Sequence, residues 1–549
     1  MEEYMNKTSL KAAFENIRNR SFLTEIFTVI PLGLLMLIQR FLTGAYKPVM
    51  DDWFLYGDLY KKLFGRLKYF AAPNEKFAIR PAAGFFDCFV NAPLFEHLWL
   101  VELILTLSLL FGAFLIIKTL RKNNCSGIGF FLCLVCLFPV GLEATYWIAA
   151  ATRICYALLF IGAAIYFLDL YYKTRKKYAI WLFSVLGMFS VCFYEPAIVM
   201  YILLTAFIAI NNSKNKRDLI PLIIMVSQIT VIGLYYIINS ASGEIEARGG
   251  FLSGNLIEHT KQVFIYIKSI LGSYTQALMD YGFDNGLSIV LGGHWFIKTT
   301  VITVLSFLFG IGSAMCIKKR SFSPKMLIFA VILAIGGIVL NFVLGSDRIP
   351  LRLVYFSYLG IGLFADELLI LLPRRINQIT VAVTVSLAAF IFTVAGIGEV
   401  RDYQTVSELD TYITQQIIDL DTENNITDID KNTYVFGGQH SYEETKCIHY
   451  LDHIRGASGS YAEFTGCMQH LTGRAWTNNL VPFTYGDIQI LKPYIDQEDV
   501  CSFYNIEYDK TVVRADIVPN GDNYDAVRED GSIIGTLVKI DDVRYQFFD

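Results

Sequence analysis

The chain has 549 residues, of which 54% are hydrophobic, 15% aromatic and only 17% charged, and its mean hydropathy is positive. One soluble core cannot bury that much apolar surface, so most of it must face lipid. The formal net charge is -4 and the basic residues fall in short clusters between apolar runs, so the charge pattern reports topology and gives no sign of a nucleic-acid partner.

The first apolar run covers residues 22–42. It is long enough to span a bilayer and no small-residue cleavage pattern follows it, so it reads as a signal anchor. Further runs predict spanning helices near 98–117, 126–142, 154–172, 178–194, 196–210, 219–239, 295–317, 325–344, 351–371 and 378–398. The total is about eleven.

Lys7, Lys11, Arg18 and Arg20 precede the first helix. Alternate connections then hold Lys118, Arg121 and Lys122; Lys173, Arg175, Lys176 and Lys177; Lys214, Lys216 and Arg217; Lys318, Lys319 and Arg320; and Arg374 and Arg375. These clusters mark the cytoplasmic face, which puts the N-terminus inside and everything after about residue 399 outside. The connection 43–97 must then be a long first external loop, although it carries Lys47, Lys61, Lys62, Arg66, Lys68, Lys76 and Arg80. Its basic residues alternate with aromatics, as on a membrane-surface helix, and the other clusters fix the register. The stretch 256–279 is amphipathic and reads as an external helix lying on the membrane or dipping into it.

Beyond residue 402 the chain turns acidic and polar, after an amphipathic run from Val406 to Ile418. Asn520-Gly521-Asp522 and Glu529-Asp530-Gly531 are turn signals, and Ile533 to Ile540 alternates as a strand does. The fold class is therefore an α-helical polytopic membrane protein, with a membrane domain over 1–400 and a soluble extracytoplasmic α/β domain over 401–549. The smaller domain offers Tyr442, Tyr461, Trp476 and Tyr485 as aromatics for stacking on sugars, and Cys447 with Cys467 as a candidate disulfide pair.

Charged residues gather at helix ends on the side assigned as external. Asp51 and Asp52 follow the first helix, with Trp53 beside them; Glu143 ends the third helix and is followed by Trp147; Tyr194-Glu195-Pro196 joins the fifth and sixth; Arg348 and Arg352 flank the turn after the ninth. Charges at membrane depth are costly and face protein-lined or water-filled cavities, so their one-sided gathering points to a polar site at the outer leaflet. A carboxylate there can deprotonate an acceptor hydroxyl, and Trp53 can stack on a sugar face. Arg80, Arg348 and Arg352 suit a phosphate or diphosphate, because guanidinium offers forked, charge-assisted hydrogen bonds. No nucleotide-binding glycine-rich motif, zinc spacing or serine-hydrolase elbow stands out; Gly437-Gly438-Gln439-His440 and Gly292-Gly293-His294 read as turns.

The long first external loop opening with Asp51-Asp52-Trp53, Arg80-Pro81 later in it, Glu143 with Trp147, and Tyr194-Glu195-Pro196 resemble the polytopic bacterial glycosyltransferases of the GT-C superfamily. Within it, residues 1–400 resemble enzymes that glucosylate O-antigen, teichoic acid or other cell-wall polysaccharide. The resemblance implies a location in the bacterial cytoplasmic membrane, a polyprenyl-phosphate monosaccharide donor and a cell-surface glycan acceptor. It implies that Asp51 or Asp52 is the base. The donor phosphate is then expected near Arg80, Arg348 or Arg352, with Trp53, Glu143, Trp147, Tyr194 and Glu195 as the substrate-binding residues. It requires no cofactor and no metal, with a divalent cation at the acidic pair left open. The alternative class is a transporter, flippase or polymerase for lipid-linked saccharides, but a transporter would place its charges at both faces or at mid-membrane.

Overall fold

The structure, a computed structural model, describes residues 21–53, 63–71, 80–213, 216–241, 256–317, 323–342, 350–423, 432–438, 456–457, 460–473, 480–482, 489–491, 501–542 and 544–548. The chain divides into two compact units. The first comprises Met1–Ala45, Tyr69–Phe86 and Trp99–Arg401; the second comprises Tyr46–Lys68, Asp87–Leu98 and Asp402–Asp549. The sequence places one boundary near residue 400, but two segments of the first loop group with the C-terminal residues instead.

The first unit is helical. Its elements begin with α1 (Ser21–Phe41); α2 (Leu63–Ala71), whose residues up to Lys68 group with the second unit, and α3 (Pro81–Phe86) follow, and then α4 (Leu98–Lys122), α5 (Gly129–Leu137) and the single turn α6 (Leu142–Thr145). Next come α7 (Ile148–Thr174), α8 (Lys177–Val191), α9 (Glu195–Asn212), α10 (Ile220–Ala241), α11 (Leu256–Ser269) and α12 (Thr275–Leu291). The last are α13 (Trp295–Met315), α14 (Pro324–Gly336), the turn α15 (Leu351–Val354), α16 (Ser357–Leu368) and α17 (Arg374–Glu423). Among the described residues six helices are long and apolar enough to cross a membrane, and Lys177–Val191, Ile220–Tyr235 and Pro324–Gly336 are shorter apolar helices. The chain is a multi-pass membrane protein.

Some expected spans are broken for local reasons. The run 126–142 stops at Leu137, because Phe138 precedes Pro139 and takes extended backbone angles (φ -62°, ψ 120°), which a residue before proline favours. The run 351–371 opens with the short α15, and α16 follows from Ser357. Conversely, α17 does not end at residue 400. It continues to Glu423, and no proline interrupts it.

Glycines set one helix crossing in this unit. A Cβ on Gly286 of α12 would lie 1.8 Å from the Val394 carbonyl oxygen of α17, and one on Gly398 would lie 2.0 Å from that of Gly282. Gly282 and Gly286 are four residues apart, so they share a helix face and let the two backbones meet.

In the second unit, β1 (Asn432–Phe436), α18 (Tyr461–Thr472), β2 (Leu480–Pro482), β3 (Gln489–Leu491) and β4 (Cys501–Ile506) are followed by β5 (Val512–Arg514) and β6 (Asp516–Asn520). The chain ends in β7 (Asn523–Val527), β8 (Ile533–Lys539) and β9 (Arg544–Phe548). One sheet has the order β2-β1-β4-β5, with β1 parallel to both neighbours and β5 antiparallel; the other is an antiparallel sheet in the order β3-β9-β8-β7-β6. Strand alternation separates two cores. Val435, Tyr504 and Ile506 pack with Ile413 and Ile417 of α17 and with Phe464 and Met468 of α18, whereas Tyr434 and Phe436 pack with Ala526, Leu537 and Tyr545 of the second sheet. Gly521 (φ 62°) and Gly531 (φ 82°) occupy the expected turns around β7.

Glu507, just past β4, receives hydrogen bonds from Arg528 Nε (2.8 Å) and Nη2 (3.0 Å), just past β7. Those bonds hold the Glu507 carboxyl below its ordinary value of 4.5.

Two outcomes follow from this packing. Gly286→Leu should destabilise the helical unit by about 1–3 kcal/mol in thermal unfolding, because the backbones must separate. Gly233→Ala, whose added methyl meets nothing within 4 Å, should not destabilise it. For the ion pair, a depressed acid pKa contributes stability that is complete above about pH 4.5 and is lost as pH falls through the folded value. The stability difference between wild type and Arg528→Met should therefore be constant near neutrality and shrink below pH 4.5, as read by unfolding of the β-rich unit.

Candidate functional site

The first unit brings six of the sequence-selected residues into one cluster. Arg80 precedes Pro81 at the start of α3, and Glu195 precedes Pro196 in the first turn of α9. Proline suits a first turn because its missing N–H has no partner to lose, and an acid there complements the helix dipole. The two starts are tied by Ala82 N–H donating to the Cys192 carbonyl at 3.2 Å. Arg80 then donates to Glu195 through Nε (3.0 Å to Oε1) and Nη2 (2.9 Å to Oε2), and its guanidinium lies 4.7 Å from the Tyr194 ring centre.

Glu143 is fully buried in α6. Its Oε2 accepts the Leu351 N–H at 3.1 Å and its Oε1 accepts Arg352 Nη1 at 2.5 Å, so one carboxylate caps α15 and neutralises an arginine within it. The Arg352 guanidinium sits 5.2 Å from the Trp147 ring centre. Tyr194, itself buried, lies within electrostatic reach of Arg80, Arg352, Glu195 and Glu143, which makes these pairs one cluster. The Trp147 Nε1–H is buried and has no hydrogen-bond partner among the described residues. Arg80 and Arg352 keep partial exposure, with side chains 18% and 25% accessible.

The acidic pair belongs to the second unit, where its two members have different surroundings. Asp52 is fully buried; the Tyr46 hydroxyl donates to its Oδ2, and so does the Val49 N–H at 3.3 Å. The latter bond reaches back three residues, as in a capping box, so Asp52 holds the turn that carries it. Asp51, one position earlier, is only partly buried.

Trp53 is expected from the sequence as a stacking platform, but it is 2% exposed. Its Nε1–H donates to Asp410 Oδ2 at 3.1 Å, and its ring packs 6.4 Å from Phe95 and 5.7 Å from His470. Asp410 Oδ1 accepts the Ala457 N–H at 2.7 Å. Trp53 is thus a core residue of the second unit, anchored to the C-terminal part of α17. Asp410 was not singled out from sequence, because only the fold places a residue 357 positions away against Trp53.

Arg348, Cys447, Tyr442, Trp476 and Tyr485 lie outside the described residues, as does the side chain of Tyr461. Cys467, expected as a disulfide candidate, is a free buried thiol that accepts the Thr414 hydroxyl at 3.4 Å. Among the described residues no group of three or more His, Cys, Asp or Glu could hold a metal ion.

Comparison with known proteins finds no matching family model, no matching curated protein and no matching solved structure.

Replacing Asp410 by Ala leaves two buried N–H donors without their acceptor, at a cost of about 1–3 kcal/mol each. Amide exchange over residues 46–53 should accelerate at least tenfold in that variant. Asp410→Asn keeps an acceptor oxygen and should show a smaller effect.

Proposed function

We propose that the chain is a GT-C-like inverting glycosyltransferase of about eleven transmembrane helices. It moves a monosaccharide from a polyprenyl-phosphate donor to a cell-surface glycan at the outer face of the bacterial cytoplasmic membrane, with its N-terminus inside and its C-terminal domain outside. The observation that carries the reading is the partly exposed cluster of Arg80, Glu143, Trp147, Tyr194, Glu195 and Arg352 within a multi-pass membrane unit.

Two guanidinium groups, two aromatic rings and an indole N–H that no described residue satisfies suit an anionic sugar ester. Arginine binds phosphate through paired N–H groups, and a buried donor without an acceptor gains a full hydrogen bond from a ligand oxygen. The two glutamates make the cluster formally neutral. Phosphate oxygens therefore share the guanidinium groups with Glu143 and Glu195, and the arginines stay oriented when the site is empty.

In the reaction, a carboxylate takes the proton of the acceptor hydroxyl, the hydroxyl oxygen attacks the anomeric carbon, and the bond from that carbon to the phosphate oxygen breaks. The lipid phosphate leaves with its charge held by the arginines. Asp51 or Asp52 supplies the base in this scheme, and Asp51, the more exposed of the two, is the one assigned.

Asp51→Asn removes the base while keeping size and hydrogen bonding. It should lower transfer from a polyprenyl-phosphate sugar by at least about a hundredfold. Donor binding should be unchanged, whereas Arg80→Gln and Arg352→Gln should weaken it. Wild-type transfer by Asp51→Asn sinks the assignment of the base, and donor binding indifferent to both arginine variants sinks that of the phosphate site.

A further inference from the structure

Helix α11 presents two unlike faces. His259, Val263 and Ile270, just past the helix end, are buried on one side, where His259 Nε2 lies 3.1 Å from the Asn341 carbonyl oxygen. The opposite side carries Ile257, Lys261, Phe264, Ile265 and Lys268. At about 100° per residue these five fall within an arc of roughly 100°. Ile257 is 80% exposed, Phe264 60% and Ile265 47%, and the stripe lines a shallow groove of about 450 Å³.

We propose that this stripe binds an anionic bilayer phospholipid, with the headgroup phosphate between Lys261 and Lys268 and an acyl chain along Ile257, Phe264 and Ile265. The two lysines are seven residues apart, about 10 Å along the helix axis, and their four-carbon stems can reach a phosphate lying between them. Glu258 sits at the edge of the stripe, its carboxylate 3.8 Å from Lys261 Nζ, so the face keeps a net positive charge. Cations set among exposed apolar side chains complement a ligand that is anionic at one end and a hydrocarbon at the other. The chain's apolar helices put such lipids within reach. A soluble anion would gain nothing from the three apolar residues, and a neutral lipid would gain little from the lysines.

The test places a photoreactive benzophenone amino acid at Ile257 in the full-length protein, reconstituted with equal amounts of phosphatidylglycerol and phosphatidylcholine. Mass spectrometry then identifies what is captured. The expected result is a preference for phosphatidylglycerol of about fivefold per lysine, which falls to parity in Lys261→Gln/Lys268→Gln. The same probe at Val226, an exposed apolar position on α10, should show parity throughout. Parity at Ile257 in the wild-type background, a preference that survives loss of both lysines, or no lipid capture overturns the proposal. So does preferential capture of added polyprenyl phosphate, or of a peptide from a second copy. None of these readouts depends on glycosyl transfer.

Discussion

A charged side chain can stay ionised inside an apolar helix bundle only if partners are arranged around it in advance, and Arg40 shows what that demands. It is fully buried in the last turn of α1 and reaches Glu102 Oε1 of α4 at 2.5 Å, Thr106 Oγ1 at 3.0 Å, and the carbonyl and hydroxyl of Thr145 at 2.7 and 3.1 Å. Moving such ions out of water costs several kcal/mol each, which only good geometry offsets. The bonds that neutralise Arg40 thus lock α1, α4 and α6 to one another. Because α6 is a single turn that also carries Glu143, the same bonds fix the residue that orients Arg352.

The rule recurs wherever polar groups enter the apolar part of the chain. Asp366 accepts the Phe130 and Phe131 N–H groups at 3.1 and 3.0 Å, and Glu367 accepts the Ser126 N–H at 2.8 Å, so two acids of α16 satisfy backbone donors at the start of α5. In the second unit Asp410 does the same for Trp53 and Ala457. These networks are buried and largely bonded, although Arg40 Nε and Glu102 Oε2 find no hydrogen-bond partner among the described residues. The cluster around Tyr194 differs in that its arginines are partly exposed. That difference separates a candidate ligand site from structural charge pairing, which is otherwise widespread in the helical unit.

The second unit fixes the surroundings of the acidic pair. Tyr46, Val49 and Asp52 close one turn, and Trp53 anchors its end among Phe95, His470 and Asp410. The adjacent acids therefore differ, with Asp52 bonded inward and fully buried and Asp51 partly exposed.

Hydropathy by itself determined that the chain crosses the membrane several times and that its C-terminal part is a separate kind of structure. Both follow from bulk transfer energies and from strand alternation, which are read one residue at a time. The turns at Gly521 and Gly531 were legible for the same reason, since only local backbone angles are involved. The pairing of Arg80 with Glu195 and of Arg352 with Glu143 was not legible, because it joins residues 115 and 209 positions apart. Composition could list those charges at helix ends but not say which would meet. Tertiary structure alone also decided the fate of Trp53. An aromatic beside two acids reads equally well as a sugar platform or as a core residue, and the choice depends on Asp410 and His470, which only the folded chain brings within reach.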